Sequence, residues 1–281
     1  RLADEALSLG IGEEPLLRAV VELYERLHMV DEALSIARRA SERLPTQWFP
    51  WARLAVLTKD DAAAERAADR ALELLGESEE HRERARLHFL RAGMRLRRHA
   101  LDPAEADYRQ AAQLAPESPA HHLGLAALLR DRDEFEEAER VSEQAVAAGK
   151  DHAPAWAMRA FFRNRRGDTI AAMRDLERAI SLRPKDPTYY FQRALLRRKV
   201  GDVQLARSDF EKALSLGHAE AGSALRALVQ EVIDVGSRVR HSKFGEGEVV
   251  GVELGAGERK ITVSFEGAGK KTLLERFLER L

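Results

Sequence analysis

The sequence predicts a mainly α fold, a right-handed solenoid of helix pairs followed by a small all-β barrel. Three observations predict it. Ala, Leu, Glu and Arg dominate while only 6% of residues are aromatic, the profile of helix-rich chains. Small residues recur with a period of 34 through most of the chain. After Val232 the apolar periodicity changes from 3.6 to 2 and glycine becomes frequent. A chain of 281 residues also exceeds what one hydrophobic core usually organises, which suggests two domains or a repeat array, and the change of period sets the expected domains at 1–233 and 234–281.

In chain order, residues 2–9 read as a lone second helix, so the chain begins in mid-repeat. Residues 14–45 carry Tyr24, Ala33, Ala40 and Pro45 in repeat order, and residues 46–78 carry Trp48, Trp51, Ala64 and Ala71. Extra residues from Glu79 to Arg84 lengthen the next first helix or the loop before it. Four copies then follow in phase, at 85–118, 119–152, 153–186 and 187–220. Ala92, Ala126, Ala160 and Ala194 lie in their first helices. Ala104, Ala138, Ala172 and Ala206, then Ala111, Ala145, Ala179 and Ala213, lie in their second helices. Side chains this small let paired helices approach to roughly 8–10 Å. Gly167-Asp168 and Gly201-Asp202 form the turn within a pair: glycine supplies a permissive backbone and aspartate accepts from the opening N–H groups. Asp102-Pro103 replaces that turn in one copy, as a cap followed by proline at the first helical position. Pro116 and Pro184 end second helices, since proline lacks the N–H that a continuing helix needs. Residues 219–232 are a capping helix over the last apolar face.

The strands expected downstream are Arg238–Arg240, Glu248–Val252 and Lys260–Phe265. Gly245 and Gly247 flank a tight turn or bulge, Gly255 and Gly257 mark one hairpin loop, and Gly267 and Gly269 another. Leu273 to Leu281 read as a final strand or a short helical turn. Several short strands in under fifty residues suit a strongly bent small barrel.

The helical pattern resembles the tetratricopeptide repeat. Its best copy runs from Ala153 to Asp186, with Trp156, Ala160, Gly167, Ala172, Ala179 and Pro184 at the signature positions. The run from Gly236 through His241, Lys243, Phe244, Gly245 and Gly247, continued by Ile261–Phe265 and Lys270–Phe277, resembles the Tudor-like domain that ends UvrD/PcrA-type bacterial helicases. The chain departs from that family at its end, where Phe277 to Leu281 replace a Phe-Ala-Pro-Leu-like terminus. The two resemblances imply a bacterial, cytoplasmic protein-docking molecule, and the Tudor-like one implies contact with RNA polymerase.

By the same resemblance, defined places on each first helix line a concave groove. They hold Phe89 and Leu90, then Leu123, then Met158 and Phe161, then Phe191 and Leu195, with Arg130, Asn164, Arg165, Arg198 and Lys199 beside them. The lysine and asparagine of the carboxylate-clamp subtype are replaced by Leu123 and Ala127, Ala157 and Phe161, Phe191 and Leu195, which disfavours that subtype. An apolar floor with a basic rim suits an amphipathic helix, or an apolar peptide with acidic flanks. The alternative is that these side chains pack on one another or on the C-terminal module. In the barrel, Arg240, Lys243 and Phe244 form the expected docking surface, with Phe244 either a contact or a core residue.

Forty-six basic against forty-seven acidic residues argue against a sequence-independent grip on phosphate, so nucleic acid is not an expected partner. The chain has no cysteine, which excludes disulfides, thiolate zinc sites and thiol nucleophiles. No apolar run reaches the roughly 20 residues that span a bilayer. Phosphate-loop, zinc-protease and nucleophile-elbow motifs are absent, and His121 and His122 read as ordinary surface or packing histidines. The chain opens on Arg1 without methionine and reads as a fragment. The expected function is therefore a non-enzymatic adaptor that needs no cofactor and binds protein partners. The second expectation is a transcription- or DNA-associated factor whose barrel touches RNA polymerase or nucleic acid.

Overall fold

The computed structural model describes residues 14–76, 80–231, 233, 235–254 and 259–281. The helix expected at 2–9 and the loop glycines Gly255 and Gly257 lie outside them. Thirteen helices fall in the described residues: α1 (Glu14–Arg26), α2 (Val30–Arg43), α3 (Trp48–Leu57), α4 (Asp61–Leu75), α5 (His81–Arg97), α6 (Leu101–Leu114), α7 (Pro119–Asp131), α8 (Phe135–Ala148), α9 (Ala153–Arg165), α10 (Thr169–Leu182), α11 (Pro187–Lys199), α12 (Val203–Ser215) and α13 (Ala221–Glu231). Five strands follow: β1 (Arg238–His241), β2 (Gly245–Leu254), β3 (Arg259–Phe265), β4 (Gly269–Leu274) and β5 (Glu279–Arg280). The chain divides into two compact units, Arg1–Arg166 and Gly167–Leu281.

In the first unit, neighbouring helices pack through the alanine places. Ala92, Ala104, Ala111, Ala126, Ala138 and Ala145 are fully buried, and Ala160 is 2% exposed. A larger side chain at any of them would separate two helices that now touch. The turns within the pairs share one left-handed residue at the same repeat place: His99 (φ 60°) and Asp133 (φ 63°) here, Gly167 (φ 94°) and Gly201 (φ 86°) in the second unit. Glycine is thus the easiest solution to this turn and not the only one. The turn before α6 differs from the expectation: Ala100 is the cap and the helix opens at Leu101, which moves Asp102 and Pro103 inside its first turn. Proline is tolerated there because the first N–H groups of a helix have no partner within it.

The signature aromatic place also has a physical task. Trp156 Nε1 donates to the Lys150 carbonyl (2.9 Å), Tyr190 OH donates to the Pro184 carbonyl (3.2 Å), and His122 Nε2 lies 2.9 Å from the Pro116 carbonyl. These residues are 34 apart, and each ties its first helix to the loop six residues earlier.

In the second unit, Ala172, Ala179, Ala194, Ala206 and Ala213 are again fully buried. Asp168 accepts from the Ala171 N–H (3.1 Å) and caps α10, whereas Asp202 makes no such side-chain bond at α12. The capping helix α13 buries Leu228, with Leu225 beside it, against Ala194, Ala206 and Phe210. Ile233 belongs instead to the core of the sheet, with Val239, Val249, Ile261, Val263 and Phe265. The strand order is β4-β3-β2-β1-β5, with antiparallel neighbours and a bulge at Val249/Gly251. The expected barrel is therefore an open sheet: among the described residues no ladder joins β4 to β5. Closure needs a full-length strand at each edge, and β5 has two residues after a 3₁₀ turn at Glu275–Phe277.

Candidate functional site

Each unit presents first-helix residues of the expected groove. In the first unit, Phe89 on α5 lies edge-on to Tyr108 (5.5 Å) and beside His121 (5.2 Å). A Cβ at Gly124 would stand 2.8 Å from Phe89 and 2.6 Å from Tyr108, so that glycine makes room for both rings. Leu90 packs on the first core cluster, Met158 on the second, and Leu123 on the small cluster of Ala145, Val146 and Ala155. Phe161 on α9 is different. It is 43% exposed and rests edge-on against buried Phe162 at 5.2 Å. The Arg130 guanidinium from α7 lies 5.8 Å from its ring centre and is held by Asp131. Arg165 is stacked on Phe135 at 3.3 Å, and Asn164 is half-buried beside it in the chain. In the second unit, Phe191 lies between Phe210 (5.6 Å) and a stacked His218 (4.0 Å), while Leu195 is 37% exposed. Arg198 and Lys199 are exposed at the end of α11. Of the seven apolar groove residues, five therefore contact a core cluster and two present open apolar surface.

Beneath these faces lies a charge network that the sequence reading passed over. Asp107 on α6 is 2% exposed. It accepts two bonds from Arg91 (2.8 and 2.6 Å) and one from Arg95 (2.9 Å), and stands 2.8 Å from His88 Nδ1. Burial pushes its carboxyl up, but the bonds from Arg91 and His88 and the charges of Arg91 and Arg95 outweigh that and hold it below its ordinary value. The second unit repeats the arrangement: Asp209 accepts twice from Arg193 (2.8 Å each) and once from Arg197 (2.6 Å). The recurrence of Arg91, Arg159 and Arg193, of Arg95, Arg163 and Arg197, and of Asp107, Asp175 and Asp209 at one or two repeats of 34 residues was the available signal. In the copy at 119–152 the same three places hold Leu125, Leu129 and Val141, all buried.

On the sheet, Phe244 is half-buried and packs on the core, stacked on His241 (4.8 Å) and 5.5 Å from Phe265. Lys243 Nζ lies 5.7 Å and Lys271 Nζ 6.0 Å from its ring centre. Arg240 is exposed and bound to Glu246 across the β1–β2 ladder at 2.6 Å. A Cβ on Gly247 would meet the Phe265 ring and the Ser264 carbonyl at 2.7 Å, so close packing behind this edge requires glycine. Among the described residues, no group of three His, Asp or Glu side chains is placed to hold a metal ion, and no helix is long and apolar enough to cross a membrane.

Stacked helix pairs with buried alanine seams, joined to a short antiparallel sheet, define a helical-repeat protein that carries a small β module. Residues 187–216 match the tetratricopeptide repeat family, and residues 235–278 match the PcrA/UvrD tudor domain. No curated protein matches the chain. Among solved structures, the pilF protein of Pseudomonas aeruginosa superposes with a TM-score of 0.66 at 16% identity, over 81% of this chain and 99% of that one. The Cut9–Hcn1 hetero-tetramer of the APC/C gives a TM-score of 0.65 at 15% identity, over 81% of this chain and 45% of the other, so the match spans under half the length of that relative. YrrB, described as a TPR protein with an unusual peptide-binding site, gives 0.53 at 15% identity, over 68% and 97%. Similarity at these identities carries the fold alone.

Proposed function

We infer that the chain is a non-catalytic adaptor whose first-helix faces hold an amphipathic helix or apolar peptide, with the sheet as a second docking module. The observation that carries this reading is Phe161, an exposed ring on a first helix with the Arg130 guanidinium 5.8 Å from its centre. A half-exposed aromatic with a cation at hand is the type of anchor on which interfaces concentrate their energy. Leu195 offers a second apolar contact at the equivalent repeat place in the other unit. Arg130, Arg165, Arg198 and Lys199 favour a segment with acidic flanks. The peptide-binding description of YrrB supports the same class of partner. A helical domain and a sheet domain that meet near residue 233, with Ile233 packed on the sheet side of the expected 1–233/234–281 border, and Arg240, Lys243 and Phe244 on the module's contact edge complete the proposal.

The test is a panel of helical peptides with Leu and Phe anchors and either acidic or basic flanks, titrated against the intact chain by fluorescence anisotropy. Acidic-flanked peptides are expected to bind best. The double variant Phe161→Glu/Leu195→Glu is expected to keep its helical circular dichroism and lose at least tenfold in affinity, because each new carboxylate would be buried unpaired at the contact. Unchanged binding by that variant removes the groove assignment, and unfolding of it shows that the two side chains are core.

A further inference from the structure

Arg97, Asp131 and Arg165 end the first helices α5, α7 and α9 at the same repeat place. Asp61, Leu101 and Phe135 open the second helices before them, α4, α6 and α8. In the earliest of these copies Arg97 gives Asp61 two bonds, at 2.9 and 2.5 Å, and is neutralised. In the latest, Phe135 stands at the place of that aspartate, and the Arg165 guanidinium lies 3.3 Å from its ring centre. Phe135 is itself anchored in the second core cluster, with Phe162 and Met158. Among the described residues no carboxylate pairs with Arg165. An acid has thus been exchanged for a ring that holds the cation without neutralising it.

The exchange matters because of where the cation stands. Arg165 is four residues beyond exposed Phe161 on α9, so the two side chains are neighbours on one helix face. Stacking restrains the long side chain and covers one side of the guanidinium plane, while the N–H groups along its edge stay available. A guanidinium fixed in this way loses little freedom when it takes a planar carboxylate through two bonds. Arg130, the other cation beside Phe161, is already engaged: its Nε and Nη2 both donate to Asp131, at 2.9 and 2.8 Å. We propose that Arg165, held by Phe135, is the specificity-determining residue of the Phe161 face and takes a Glu or Asp side chain one helical turn from the partner's apolar anchor. The role presupposes that Phe161 is a peptide contact, and it narrows the acid preference from a basic rim to one residue.

Two helical peptides test this, both acetylated and amidated so that side chains supply the only carboxylates. They share a Phe anchor and carry either Glu or Gln one turn to each side of it. By fluorescence anisotropy the intact chain is expected to bind the Glu peptide roughly fivefold more tightly, the order of a partly exposed ion pair with fixed geometry. Arg165→Gln is expected to bind both peptides alike, at the parent's affinity for the Gln peptide. Arg165 is exposed at a helix end, so this variant should keep the parent's circular dichroism. Phe135→Leu keeps an apolar side chain in the cluster and loses the ring, and is expected to cut the preference by half or more. Arg130→Gln is expected to weaken both peptides while keeping the preference. Failure of the parent to bind either peptide removes the Phe161 contact and the role of Arg165 with it. Equal binding of both by the parent overturns the role of Arg165 and leaves Phe161 in place. So does a preference that persists in Arg165→Gln, stays whole in Phe135→Leu, or vanishes in Arg130→Gln.

Discussion

Asp107 shows how much one side chain can carry in a repeat built on alanine. Its carboxylate is buried and tied to Arg91, Arg95 and His88 on the adjacent α5, so it adds a charged tie to a seam that is otherwise apolar. Replacing it by asparagine leaves two guanidiniums facing a neutral amide. A cost of roughly 3 kcal/mol is expected, near the lower end for breaking a buried pair, because both arginines keep further acidic partners in Asp69 and Glu65. Urea unfolding of the Asp107→Asn variant measures this, and a cost under about 1 kcal/mol would show the pair to be dispensable. The same group gives an acid dependence. Its folded value lies below the unfolded one of about 3.9, so its contribution is complete above that pH and disappears as pH falls through the lower folded value. Asp61 and Glu65 are also held low, so they act in the same direction. Melting temperature should therefore drop below about pH 4, and less steeply in Asp107→Asn than in the parent.

At the scale of the element, the copy at 119–152 replaces the whole arginine–aspartate–arginine set with Leu125, Leu129 and Val141, and all three are buried. Two physical solutions, a paired charge cluster and an apolar one, fill the same space between first and second helix. Mixing them is costly. Leu125→Arg alone buries a guanidinium with no carboxylate and should destabilise by roughly 3–5 kcal/mol. Adding Leu129→Arg and Val141→Asp should recover most of that loss, as read from chemical unfolding midpoints. If the triple variant is as unstable as the single one, the three places are not a unit. The alanine seams and turn places behind this comparison were legible in the sequence because a helix buries the same face every repeat. The charge cluster was equally periodic, but each arginine taken alone reads as solvated, and only the packed helices show it facing Asp107. The start of α6 was misplaced for a related reason. Asp102-Pro103 satisfies the composition of a cap and a first turn, while the chain geometry after His99 opens the helix two residues earlier.

For the whole molecule, the two clusters around α13 decide how the ends of the chain depend on one another. Leu225 and Leu228 face Ala194, Ala206 and Phe210, whereas Ile233 packs into the sheet and its carbonyl accepts from Arg259 at 2.9 Å. The helix thus buries its own apolar face, and the sheet keeps its own core. Residues 233–281 should fold alone with dispersed amide resonances, and residues 1–232 should retain the parent's helical melting transition. Aggregation of the longer piece would show instead that the sheet covers the array. What the sequence determined unaided was what depends on local period: the succession of helix pairs, the alanine seams and the change to strands after Val232. Those follow from burying one face of each element, a requirement written residue by residue. What only the tertiary structure decided was the fate of side chains with more than one possible neighbour. Phe89, Leu123 and Phe191 contact core clusters while Phe161 and Leu195 stay exposed, and the last strand is too short to close the sheet. Exposure and closure are set by distances between elements far apart in the chain, which no single stretch of sequence contains.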